Sequence, residues 1–174
     1  ALMLRPLEAM EYNSGLYRMS SSFAFDTVIG QKSIVGDRLT WSYGDFWAAL
    51  NTIPDGVAVD NYGSRSYVLQ QMIQQGAERF IDWENSTSRF DGEEFCALLE
   101  FCARFPDEMD RSYDGGPDVA VYTGEQVLIN AVIQGPDSFQ YYKELLGGEV
   151  SCVGYPNGVG EVGSYFRLDG IRLA

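Results

Sequence analysis

An α/β layered domain is the fold class the sequence predicts, and three observations carry the prediction. Residues 22–29 alternate as a strand does, with Phe23, Phe25 and Thr27 on one face and Ala24, Asp26 and Val28 on the other. Residues 91–105 place Phe95, Leu98, Leu99, Cys102 and Phe105 at spacings of three and four, the period of a helix with one buried side. Along the rest of the chain, strand-like and helix-like stretches are separated from one another by Gly and Pro. A length of 174 residues fits one domain, 1–174, that buries roughly 70% of its unfolded surface.

Taken in order, residues 1–13 have no clear period, and 16–20 and 22–29 read as two extended segments. Gly30 and Gly36 bracket a turn. Thr40 is placed to cap a helix running to about Asn51, with Trp41, Phe46, Leu50 and Ile53 on its apolar side, before Pro54-Asp55-Gly56 stops it. Ser64 is placed to cap a second helix through Gln75, with Val68, Leu69, Met72 and Ile73 facing inward and Gly76 ending or bending it. Asp91 is the expected N-cap of the next helix, which ends before Pro106. The acids and glycines of 107–118 form an exposed loop. Residues 126–133 read as a buried strand or a helix-to-strand transition, Pro136 opens a helix closed by Gly147-Gly148, and 150–155 is a strand. The Gly-rich stretch 157–163 reads as a flexible connection. No internal repeat is present.

Composition removes several classes of function. The 25 Asp and Glu against 12 Lys and Arg give a net charge of −13, which repels nucleic acid and anionic membrane surfaces. The chain has no His, so Ser-His-Asp and Cys-His nucleophile systems, His-ligated zinc and imidazole acid–base chemistry are all excluded. Cys96 and Cys102 are too far apart on one helix to bridge, Cys152 stands alone, and all three read as small buried side chains. No run is long and apolar enough for a membrane span, and no signal segment opens the sequence.

The local chemistry is sparse. Gly154, Gly158, Gly160 and Gly163 are not followed by a Lys-Ser/Thr pair, so they do not read as a phosphate loop. Asp107, Glu108, Asp110, Asp114 and Asp118 lack the spacing of a calcium loop, and no metal or cofactor is expected. Glu93 and Glu94 fall in a helix first turn, where they favour the dipole. Aromatic residues make up 14% of the chain. Those near polar loops, Tyr62, Tyr67, Trp83 and Tyr155, offer faces on which sugar rings pack.

The order of segments resembles a known family. Gly15-Leu16-Tyr17-Arg18-Met19, the alternating strand, a Gly-bounded turn and Leu39-Thr40-Trp41-Ser42-Tyr43-Gly44-Asp45-Phe46 resemble the extracellular solute-binding proteins of ABC importers, sugar-binding type. Phe90-Asp91-Gly92-Glu93-Glu94-Phe95, Gly124-Glu125-Gln126-Val127-Leu128-Ile129 and Val153-Gly154-Tyr155-Pro156 continue the likeness over nearly the whole chain. The family often completes a capping box at the third helical position after its Thr. This chain has Tyr43 there.

The resemblance implies one lobe, the second, of a two-lobe periplasmic-binding-protein-like (type II) fold, a mixed sheet with flanking helices. It implies a monomer without catalysis, which binds a carbohydrate or similar polar solute and hands it to a membrane permease. It also implies an extracellular location, with a lipid anchor on the full-length protein. The family's loop contacts correspond to Tyr62, Ser64, Arg65 and Tyr67, and the polar end of the later segment to Asn130 and Gln134. Two other readings stay open: an acidic hydrolase using carboxylates such as Asp26, Asp82 or Glu84, and a cell-surface interaction module with no small ligand.

Overall fold

The structure is a computed structural model that describes residues 11–12, 14–16, 18–53, 64–108, 121–124 and 126–172. Two short strands, β1 (Glu11–Tyr12) and β2 (Gly15–Leu16), pair with each other ahead of the main sheet. That sheet is organised by β3 (Arg18–Gln31), a single strand of 14 residues with a bulge between Ser20 and Ser22. The sequence reading splits this strand in two because the serines interrupt the apolar pattern; a bulge carries the chain through the interruption.

On one edge, β3 pairs with β6 (Leu128–Ile133). On the other it pairs first with β8 (Tyr165–Arg172) and then with β7 (Val150–Cys152). Asp26 faces both Val132 and Tyr165, and Ile29 faces both Ile129 and Cys152, so β7 and β8 lie end to end along the same edge. The sheet flanked by helices is the expected architecture. Within it, every pairing among the described strands is antiparallel, and parallel contact is confined to the isolated bridge between Ser42 and Asn157.

Alternation along β3 puts Val28 and Ile29 on opposite faces, and a separate core forms on each. Val28 and Leu128 pack against Phe46 and Ala49 of α2 (Tyr43–Leu50), Val68 of α3 (Arg65–Gln75), and Leu98, Phe101 and Cys102 of α5 (Glu93–Ala103). Ile29, Ile129 and Ala131 pack with Leu146, at the end of α6 (Pro136–Leu145), and with Val121. Short helices α1 (Lys32–Val35) and α4 (Ala77–Phe80) and the hairpin of β4 (Ile81–Asp82) and β5 (Thr87–Ser88) complete the described elements.

The caps differ from the sequence reading. Helix α2 starts two residues later than Thr40 would start it. Ser42 is the N-cap, accepting from Asp45 N, while the Asp45 carboxylate accepts from Ser42 N at 3.0 Å, so the capping box is complete. The carboxylate also accepts from Ser42 Oγ at 2.7 Å, and the backbone and hydroxyl bonds from Ser42 together hold the Asp45 carboxyl below its usual range, the backbone one most strongly. Ser64 caps α3 as expected, accepting from Tyr67 N. Helix α5 is capped by Gly92 with no side-chain bond, and Asp91 is left in the preceding turn; Glu93 and Glu94 supply its first-turn charge. Cys96 is exposed rather than buried, because it lies on the outer side of α5 from Cys102.

Leu98→Ala is therefore expected to cost about 2–5 kcal/mol, since Leu98 is 1% exposed at the centre of the first core. Asp91→Ala, which removes no cap, is expected to stay within about 0.5 kcal/mol of the parent. Urea unfolding of the two variants checks both, and a large shift for Asp91→Ala would restore it as the cap.

The stretch after β7 is not a flexible connection. Strand β7 ends at Cys152 because Val153 N and Gly154 N both turn to Val28 O. Asn157, itself buried, then organises the glycines: its Oδ1 accepts from Val159 N and Glu161 N, and its Nδ2 donates to Glu161 O. Trp41 Nε1 donates to Gly154 O at 2.8 Å, which fastens the stretch to the first core.

Candidate functional site

Two adjoining depressions open on the face of the sheet that carries Val28. One has an apolar lining of Val28, Leu128, Phe101 and Phe105 together with the polar groups of Tyr67, Gln71 and Asn130. Tyr67 and Gln71 lie four residues apart on α3, hence on one side of it. Asn130 is paired with Val28 across the sheet, which sets its side chain on the same face. A second depression continues past Met72, Tyr155 and Pro156, which line both, toward Tyr43, Arg79, Glu94 and Tyr165.

The buried hydroxyls suit neutral hydrogen bonding, beside the Arg79–Glu94 ion pair. Burial pushes the Tyr43 hydroxyl well above its usual range and raises that of Tyr165, so both remain neutral O–H groups. Burial pushes the Cys102 thiol up to about 11, leaving it protonated and inert. For Arg79 burial acts downward, yet the hydrogen bond and charge of Glu94 outweigh it and keep the guanidinium charged. Aromatic rings beside amide and hydroxyl groups can pack on the apolar face of a polar ring and bond its hydroxyls.

The residues picked out from the sequence divide. Tyr67 and Asn130 come together at the first depression. Ser64 is buried as the cap of α3. Arg65 turns toward the end of α5: its guanidinium pairs with Asp107 at 2.8 Å and donates to Ala103 O, in the last turn of the helix, and to Phe105 O just beyond it. Gln134 is exposed beyond β6, its N–H donating to Ser138 Oγ at the start of α6. Tyr62 lies outside the described residues. Of the other aromatic candidates, Trp83 is exposed on the β4–β5 turn and Tyr155 is a shared wall. Gln71 was not singled out, though its place one turn after Tyr67 was the signal for it.

None of the carboxylates considered for hydrolysis lines either depression. Asp26 sits in β3 with Arg167 at 3.7 Å. Asp82 accepts from Asn85 Nδ2, Asn85 N and Glu84 N, which pull its carboxyl below the usual range and fix the β4–β5 turn. Among the described residues no three His, Cys, Asp or Glu side chains gather as a metal site, and no helix is long and apolar enough to cross a membrane.

Neither a family model nor a curated protein matches this sequence. Solved structures do match in fold. The ABC substrate-binding protein Lmo0181 of Listeria monocytogenes, in complex with cycloalternan, superposes over 97% of this chain and 46% of its own with a TM-score of 0.64 at 14% identity. The fold is periplasmic-binding-protein-like. An ABC transporter solute-binding protein of Thermotoga lettingae, bound with α-D-tagatose, matches 95% of this chain and 46% of its own with a TM-score of 0.58 at 15% identity. A probable secreted solute-binding lipoprotein of Streptomyces coelicolor gives 97%, 50%, 0.58 and 14% for the same quantities. The chain thus spans about half the length of the solved structures it matches.

Proposed function

We propose that this chain is the second lobe of an extracellular sugar-binding protein of an ABC importer and forms one wall of its solute cleft. The observation that carries the reading is the likeness over 95–97% of this chain to about half of proteins whose solved complexes hold sugars, cycloalternan and tagatose among them. In this reading Tyr67 supplies a stacking face, and Asn130 and Gln71 supply donors and acceptors for sugar hydroxyls. Ser64 and Arg65 act at one remove, the first by starting α3 and the second by tying it to α5. The protein binds and releases its solute without altering it, passes it to a membrane permease as a monomer, and is anchored at the cell surface by lipid. A secreted lipoprotein among the matched structures supports that location.

The affinity of this chain alone tests the division into two walls. A micromolar site is worth about 8.2 kcal/mol and a millimolar one about 4.1, so a wall that supplies half the contact free energy binds in the millimolar range. Calorimetry of the 174 residues with maltotriose and D-tagatose is expected to give dissociation constants in that range. Micromolar binding would contradict the two-wall reading.

A further inference from the structure

We infer that Arg79 is a positioning residue for the Tyr155–Pro156 wall, acting through the 157–163 loop; this rests on the solute-site reading above. The Arg79 side chain is 21% exposed and spans two elements. Its Nη1 donates to Glu94 Oε1 of α5 at 2.8 Å, and its Nη2 donates to Glu161 Oε2 of the loop at 2.9 Å.

The loop end of this clasp is stiff. Asn157 holds Glu161 through both its N–H and its C=O, and Asn157 N donates to Trp41 O at 3.3 Å. Tyr155 N donates to Gly163 O at 2.8 Å, so whatever holds Glu161 also holds the segment that fixes Tyr155. Arg79 therefore joins the wall shared by both depressions to α5, which lines them from the other side.

Isolated ion pairs at a surface contribute little, but here the guanidinium of a half-buried Arg79 bridges two carboxylates from different elements, a geometry that suits its planar fork and not an ammonium. With each terminal nitrogen bonded to a carboxylate on a different element, Arg79 serves the solute by placing Tyr155.

Arg79→Met and Glu161→Gln, compared by amide hydrogen exchange and by maltotriose titration, test this. In both variants the Tyr155 and Glu161 amides are expected to exchange about tenfold faster while β3 and β6 amides are unchanged. Maltotriose is expected to bind about threefold or more weakly in both. Weaker binding in Arg79→Met alone, with Tyr155 exchange unaltered, would overturn positioning in favour of direct contact. If Arg79→Met does not fold, Glu161→Gln carries the test, since Glu161 is exposed. No response of the parent chain to maltotriose would remove the solute reading. The exchange comparison would then decide the clasp, and unaltered exchange would overturn it.

Discussion

Trp41→Ala is expected to lower the free energy of unfolding by about 3–5 kcal/mol, the range for emptying a buried indole site. Trp41 is 1% exposed, packs edge-on to Phe46 at 5.1 Å, and donates from Nε1 to Gly154 O at 2.8 Å. Its backbone carbonyl accepts from Asn157 N. The residue thus fills the first core and also anchors the stretch between β7 and β8. Trp41→Phe separates the two roles: it keeps most of the apolar volume but leaves Gly154 O without its donor, at a cost of about 1–3 kcal/mol. Urea unfolding followed by circular dichroism measures both. A Trp41→Ala midpoint equal to the parent's would mean that the indole is not part of the core.

Gly163→Ala is the second large effect, and its cause is backbone meeting backbone. A Cβ on Gly163 would run into the Tyr155 carbonyl, and one on Gly154 would lie 2.7 Å from Gly163 C. Two limbs of the chain cross here at a separation open to glycine alone. The crossing is closed by the bond from Tyr155 N to Gly163 O. Because no flexible side chain can give way, Gly163→Ala is expected to cost about 3 kcal/mol or more. Gly124→Ala is the control. Its φ is +78° with nothing within 4 Å of the added Cβ, so only the left-handed backbone is penalised, at about 1–2 kcal/mol. Thermal unfolding of both variants is expected to rank Gly163→Ala well below Gly124→Ala, and the reverse order would remove the crossing from the account.

What the sequence disclosed, and what it did not, follows from the range of the interactions involved. Local periodicity located the 22–29 part of β3, α3 and α5 within a few residues, because alternation and the three–four spacing are imposed by the face each element buries, while α6 was marked by Pro136 at its start and Gly147-Gly148 at its end. Ser64 was legible as a cap since its partner, Tyr67 N, lies three residues away. The start of α2 was misplaced by two residues because Thr40 and Ser42 are both capable caps, and the choice falls to Ser42, whose acid partner is Asp45 rather than the residue at position 43.

The order of the 157–163 loop was illegible. It depends on Trp41, Gly154, Asn157 and Gly163, whose partners are brought together only by the sheet. At the site, Tyr67 and Asn130 share one depression because the β3–β6 register sets Asn130 opposite Val28, a fact no local pattern contains. The family resemblance makes Arg65 a ligand contact beside Tyr67. The tertiary structure gives it the carbonyl end of α5 instead.

The central claim is that solute meets this chain at the mouth formed by Tyr67, Gln71 and Asn130. Titration of the isotopically labelled 174-residue chain with maltotriose, followed amide by amide, tests it most directly. The account predicts saturable shifts in the millimolar range, confined to α3 around Tyr67 and Gln71, to β6 around Asn130 and to the Tyr155 segment. They should be lost in Tyr67→Ala, whose unfolding midpoint should lie close to the parent's. Shifts centred on the α6 face of the sheet, or a pattern that Tyr67→Ala leaves unchanged, would contradict it.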